Sequence, residues 1–327
     1  MESTHTTSRG LIYNYIHAKS NPPANKPYLL FLHGFPSIAH EWHHQIEYFT
    51  KLGYGVIAPD LLGYGKTSRS VNLDDYRLKA ISQDVVDILD HEDISDPVFG
   101  VGHDWGVTLL SRMEFYHPQR FAKLAFLTIG CSPLGQRFDL DTVNSMCEKM
   151  LGHALFGYIE FFTRDPNAVE IINSHLESMI SIIYAQDPSL WKTHFGSIRG
   201  LKEWLLHDQR TAIGSWFEEK VDRAIHKETF TANGGYAAPL LWYHGLVNNI
   251  SVADECAHGC EGYQLRKPLL MLLASNDPIA IPGAQLDMTR QYAPELTVKE
   301  LPTGHWVMLE AKDAVNKELR DFFEKLA

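Results

Sequence analysis

Short apolar runs recur early in the chain, at "YLLFLHG" from Tyr28, "YGVIAPD" from Tyr54, "PVFGVGH" from Pro97 and "KLAFLTIG" from Lys123, and again late, at "KPLLMLLAS" from Lys267. They do not alternate with polar residues and they end at Gly, Pro or Asp, so each predicts a strand buried on both faces. Between them, "YRLKAISQDVVDILDH" from Tyr76 to His91 sets Leu78, Ile81, Val85, Ile88 and Leu89 on one stripe, the pattern of a helix that covers a sheet. Strand and helix alternate, which predicts an α/β fold with a mostly parallel sheet flanked by helices. From about Pro133 to about Leu265 the strand-like runs stop, and helical, aromatic-rich stretches such as "ALFGYIEFF" and "LKEWLLHDQ" replace them. The expected organisation is a core domain of residues 1–132 and 266–327 and an inserted helical lid or cap of residues 133–265 over the sheet's C-terminal edge. Only the first few residues are expected to be loose.

Composition narrows the classes. The 327 residues are 45% hydrophobic and 21% charged, enough to bury a large core. With 29 basic against 40 acidic residues and a net charge of -11, the chain lacks the Lys and Arg clusters that a nucleic-acid surface needs. The longest apolar runs are too short to span a bilayer and the start is polar, so a soluble, cytoplasmic protein is expected. Four scattered cysteines fit reduced thiols. Cys256, His258 and Cys260 lie close together without a second ligand pair, so no metal and no organic cofactor are expected. The sequon at Asn249 carries no weight without a secretory route.

The pentapeptide "GHDWG", Gly102 to Gly106, stands between a predicted strand and a predicted helix. Small residues on either side of Asp104 allow the sharp turn that exposes a nucleophile. The same residue could equally cap the helix, since Asp is a favoured N-cap. Two later loops matter here: "SNDP" puts Asp277 after the strand "PLLMLLA", and "TGHW" puts His305 after "TVKELP". Nucleophile, acid and histidine then follow the chain order of an α/β-hydrolase triad. The loop "HGFPS" occupies the place of the one that supplies an oxyanion-hole N–H, expected from Phe35, with the second from Trp105. His33 and His103 are read as supporting hydrogen-bonders.

Across nearly its whole length, at "HGFPS", "PDLLGYGKTS", "GHDWG", "SNDP", "TGHW" and "GGYAAPLLWYHG", the sequence resembles the epoxide hydrolases of the α/β-hydrolase superfamily, and looks closer to the soluble microbial and fungal members than to the long two-module forms. The resemblance implies that two lid tyrosines act as acids on the epoxide oxygen. Tyr243 matches the second, and Tyr158 matches the first if a one-residue gap is allowed. It also implies an apolar pocket with Phe35, Trp105, Trp242 and Phe162 against the substrate. His244 stands where the family often has Arg.

The chemistry of an aspartate fits that implication. A serine that attacked a saturated carbon would form an ether that His and water could not readily break, whereas a carboxylate forms an ester with a carbonyl that water can attack. The expected function is hydrolysis of a small apolar epoxide to a vicinal diol, through an ester on Asp104 and water activated by His305 and Asp277. Two alternatives share the triad or the fold. A haloalkane or haloacid dehalogenase would use the same three residues, but haloalkane dehalogenases usually carry Asn at the position of Phe35, and haloacetate dehalogenases carry Arg at those of Trp105 and Thr108. A non-catalytic ligand-binding protein of this fold would tend to have lost a triad member. A homodimer is left open.

Overall fold

In the computed structural model the described residues are 1–20, 26–218, 220–232 and 234–325. Every residue of Gly55–Pro59, Val98–His103 and Leu269–Ala274 is buried, as the unbroken apolar runs require of strands covered on both faces. With Tyr28–Leu32, Phe121–Leu127 and Leu296–Leu301 they form the parallel part of one sheet. In chain order the strands are β1 (Glu2–Thr6), β2 (Ile12–Ala18), β3 (Tyr28–Leu32), β4 (Gly55–Pro59), β5 (Val98–His103), β6 (Phe121–Leu127), β7 (Leu269–Ala274) and β8 (Leu296–Leu301). Their spatial order is β1-β2-β4-β3-β5-β6-β7-β8. From β4 to β8 all neighbours are parallel, while β1 with β2 and β2 with β4 are antiparallel.

The N-terminal edge departs from the sequence expectation. The first residues are not loose: Glu2–Thr6 pairs with β2 from Glu2 opposite Ile16 to Thr6 opposite Ile12, and the Met1 amino group donates to the His17 carbonyl at 2.7 Å. "ESTHT" contains no apolar residue, so hydrophobic patterning carries no signal for it, and its order comes from ladder hydrogen bonds along the edge of β2.

Among the described residues three α-helices precede β6: α1 (His43–Lys51), α2 (Leu78–His91) and α3 (Trp105–Tyr116). The predicted stripe of α2, including Ile81, Val85, Ile88 and Leu89, is fully buried. All of α3 except Thr108 is buried, because it lies between α2 and β5. Between β6 and β7 the chain leaves the sheet for α4 (Leu140–Leu151), α5 (Gly157–Arg164), α6 (Ala168–Ser174), α7 (Leu176–Ile183), α8 (Gly200–Leu206), α9 (Asp222–Thr231), α10 (Leu241–Val247) and α11 (Val252–His258). Among the described residues of this segment the only β-type pairing is a bridge between Ala185 and Ile213. The chain ends with α12 (Pro282–Arg290), α13 (Val307–Glu310) and α14 (Lys312–Phe323) around β7 and β8. No helix among the described residues is long and apolar enough to cross a membrane.

A buried ion pair fastens the helical segment to the core. Arg112 of α3 meets Glu255 of α11 at 2.9 Å, and its remaining donors reach the Ser132 and Pro133 carbonyls at 3.0 Å, where the chain leaves the sheet. The second Glu255 oxygen accepts from the Gly135 N–H at 2.6 Å. Losing one partner would strand a desolvated charge, a cost of about 3–5 kcal/mol. Glu255→Ala should therefore lower the thermal unfolding midpoint by several degrees, whereas Lys317→Ala, at the exposed pair with Asp321, should leave it within about one degree. Equal midpoints for the two variants would contradict this.

Candidate active site

β5 ends at His103 and α3 begins at Trp105, so Asp104 alone makes the turn, at φ 51° and ψ −124°. A non-glycine residue held there costs about 1–3 kcal/mol. The flanking glycines permit it. A Cβ on Gly102 would lie 2.6 Å from the Gly106 carbonyl oxygen, and one on Gly106 would overlap the Leu32 carbonyl at the end of β3. Asp104 holds the N-cap position of α3 but makes no capping hydrogen bond; Oδ1 instead accepts from the Phe35 N–H at 2.8 Å. That contact needs Gly34, where any Cβ would collide with the Asp104 side chain.

The loops after β7 and β8 bring the other two polar groups. His305 Nδ1 donates to Asp277 Oδ2 at 2.6 Å, and His305 Nε2 lies 3.8 Å from Asp104 Oδ2. Asp277 is fixed in turn, since its Oδ1 accepts from the Ile279 and Ala280 N–H groups at 2.8 and 2.9 Å. His103 donates through Nε2 to the His305 carbonyl at 2.8 Å, and the Thr128 hydroxyl donates to the same oxygen at 3.1 Å. His33 accepts from the Leu61 N–H at 2.9 Å through Nε2, and burial pushes its pKa down to about 4. Both histidines are therefore neutral struts.

The aromatic residues divide into two groups. Asp104, His305, Phe35, Tyr158 and Tyr243 line one cavity of about 60 Å³, closed by Ile129, Ile183, Ile279 and Phe195. The Tyr158 and Tyr243 rings stand 5.7 Å apart and nearly perpendicular, and Tyr243 meets Phe35 edge-on at 5.0 Å. Trp105 and Trp242 line a separate cavity of about 210 Å³ next to it. Phe162 lines neither; it packs at 5.2 Å behind both Phe35 and Tyr243. The Trp242 indole donates to the Leu62 carbonyl at 2.9 Å, which ties α10 to the core. His244, half-buried on α10, hydrogen-bonds the Phe162 backbone and so joins α10 to α5.

Sequence reasoning missed Trp191, whose ring lies 5.1 Å from that of His305 and closes the cavity with Phe195. No motif marks it, because it sits on an irregular turn, Trp191–Phe195, between α7 and α8. Asn249, discounted as a sequon, pairs its amide with the Phe138 backbone, accepting at 2.6 Å and donating at 3.1 Å. His258 packs against the Phe115 and Tyr116 rings.

Burial pushes the Asp104 pKa up, and the His305 charge and the Phe35 and Trp105 N–H groups offset only part of that. For His305, burial alone would lower the pKa, but the charge and hydrogen bond of Asp277, together with the charge of Asp104, outweigh it and raise it. Burial holds both phenols far above their ordinary range, and Asp104 adds to this, so they keep their protons. The arrangement can present one carboxylate oxygen to an electrophile, donate two O–H groups from the walls of the same cavity, and supply a base for water.

A family model described as the alpha/beta hydrolase fold matches residues 27–174. The chain has the α/β-hydrolase fold. It is similar over most of its length to two named relatives. "Epoxide hydrolase srdG" of Neurospora crassa is 27% identical over 97% of this chain and 93% of its own. "Epoxide hydrolase B" of Mycobacterium tuberculosis is 26% identical over 94% of each. The crystal structure of epoxide hydrolase A from Mycobacterium thermoresistibile superposes with a TM-score of 0.80 at 23% identity, covering 100% of this chain and 99% of that one. An epoxide hydrolase from an endophytic Streptomyces gives 0.81 at 22% identity, over 99% and 95%. The structural likenesses establish the fold.

Because the Asp104 charge helps to raise the His305 pKa, removing that charge should lower it. Titration of the His305 ring followed by NMR should have a lower midpoint in Asp104→Ala than in the intact protein. An unchanged or higher midpoint would contradict this coupling.

Proposed function

We propose that the protein is an epoxide hydrolase that converts an apolar epoxide and water into a vicinal diol. The observation that carries this reading is that one carboxylate and two protonated phenols line the same largely apolar cavity, with the His305–Asp277 pair beside the carboxylate. Residues 133–265 act as the cap that supplies the phenols.

Asp104 Oδ1 is already engaged by the Phe35 N–H, which leaves Oδ2 to attack. Oδ2 forms a bond to one epoxide carbon as that carbon's bond to oxygen breaks. The released electron pair goes to the oxygen, which takes a proton from Tyr158 or Tyr243 while the other phenol donates a hydrogen bond. Acid assistance of this kind is typically worth about 10² to 10⁴ in rate. In the resulting ester Oδ1 is the carbonyl oxygen, so the N–H groups of Phe35 and Trp105 stand where the tetrahedral oxyanion develops. Esterification removes the Asp104 charge, which releases His305 to act as a base. It takes a proton from water, and the hydroxide adds to the ester carbon. Collapse expels the diol oxygen as an alkoxide; of the two protons that water brought, one on His305 and one on the Asp104 carboxyl, one goes to that alkoxide and the other to the tyrosinate, which regenerates the Asp104 carboxylate and both acids. Asp277 orients the imidazole and balances its charge. The cavity walls, Ile129, Ile183, Ile279 and Phe195, suit an apolar substituent on the epoxide.

Diol formation from styrene oxide tests this. The intact protein should turn over, Asp104→Ala should fall to the uncatalysed background, and Tyr243→Phe should lose about 10²-fold or more in the opening step. Diol formation by Asp104→Ala at the intact rate would overturn the reading.

A further inference from the structure

One cluster outside the active site has metal-ligand chemistry. Just before α1, residues Ala39–Trp42 form a 3₁₀ turn, in which side chains three apart eclipse one another. His40 and His43 therefore stack, with ring centroids 4.8 Å apart and planes 12° from parallel. Asp222, the first residue of α9, comes to them from the cap; its Oδ1 lies 3.1 Å from His40 Nε2, and its Oδ2 is held by the Glu218 N–H at 2.9 Å. One donor atom from each of the three falls within 4.8 Å of the others, and among the described residues no other group of three His, Cys, Asp or Glu side chains does so.

We propose that His40, His43 and Asp222 bind a divalent cation of the Zn²⁺ class, which straps the cap to the core. Two imidazole nitrogens and one carboxylate oxygen, with water in the fourth position, are a ligand set that Zn²⁺ accepts. Tetrahedral bonds of about 2.0–2.1 Å need donors roughly 3.4 Å apart, so donors that lie within 4.8 Å of one another close the site with a contraction of at most about 1.4 Å. The second ring nitrogen of His43 is already committed: Nδ1 donates to the His40 carbonyl at 3.0 Å, which fixes the tautomer with an open lone pair on Nε2. That backbone hydrogen bond is the usual outer support of a metal-bound histidine. Both imidazoles are half-buried and Asp222 is buried, so an ion can enter from solvent yet sits on a carboxylate with little competition from water.

The strap also lies behind the active-site loop. Glu41, between the two histidines, accepts from the Tyr184 hydroxyl at 2.7 Å, and that hydroxyl also reaches the Pro36 carbonyl at 3.1 Å, next to Phe35. The ligands come from segments that meet only in the folded chain, so the ion stabilises that state by mass action.

The test needs no substrate and is independent of the epoxide reading. Chelator-treated full-length protein is titrated with Zn²⁺ by calorimetry, its thermal midpoint is read with and without Zn²⁺, and Co²⁺ is added as a spectroscopic probe. The expected results are one saturable equivalent, a midpoint raised by about 5 °C at a hundredfold excess over the dissociation constant, and the visible absorption of four-coordinate Co²⁺. His40→Ala, His43→Ala and Asp222→Asn should each lose at least about tenfold in affinity, together with the midpoint shift, while Cys256→Ser combined with Cys260→Ser keeps both. Each shift is read against the same variant without metal, so a change in intrinsic stability does not imitate lost binding. No saturable binding to the intact protein, or a full shift that survives in all three ligand variants, would overturn the proposal.

Discussion

The contact on which the site depends is the approach of the Asp104 turn to the end of β3. Gly106 sits so close to the Leu32 carbonyl that no side chain fits, and Gly34 leaves room for the Asp104 carboxylate beside the following loop. Pairing Leu32 with Gly102 brings the two strand ends level, and the Phe35 N–H then falls 2.8 Å from the carboxylate. Backbone strain at φ 51° is held by these packed neighbours and directs the side chain out of the sheet. Parallel strands do the rest, since β7 and β8 end on the same edge and their loops carry Asp277 and His305.

Electrostatics distributes the work. One imidazole stands between two carboxylates of different character. Asp277 is bound by two backbone N–H groups and the imidazole, which makes it a fixed counter-charge. Asp104, raised by burial, is the one whose charge an ester would remove. The same low-dielectric surroundings keep the phenols protonated. A serine in the same turn would suit none of this, because its ether would leave no carbonyl for water.

Much of this was legible in the sequence. Asp104 and Asp277 each follow an unbroken apolar run, and a run buried on both faces belongs in a parallel sheet whose loops converge, whereas His305 follows the mixed run "TVKELP" of an edge strand and is marked by its place in the chain order. Other parts carried no local signal. "ESTHT" becomes β1 through pairing rather than composition. Trp105 and Trp242 line the neighbouring cavity and Phe162 lies behind Phe35, because an aromatic residue in a helix shows its period but not which wall it faces. His40 and Asp222 are 182 residues apart, so the cap–core cluster exists only once the helical segment has docked. Cys256, His258 and Cys260 are close in sequence, yet their donor atoms do not come together as those of His40, His43 and Asp222 do.

In the proposed mechanism Asp104 forms an ester that water breaks at the carboxyl carbon. One turnover in H₂¹⁸O with enzyme in excess over styrene oxide, followed by mass spectrometry of the Asp104 peptide and of the diol, tests it most directly. The account predicts ¹⁸O in the Asp104 carboxylate and an unlabelled first-turnover diol, because the oxygen added to the substrate comes from the enzyme. Label in the diol with none in Asp104 would mean that water attacks the epoxide itself, and would contradict the account.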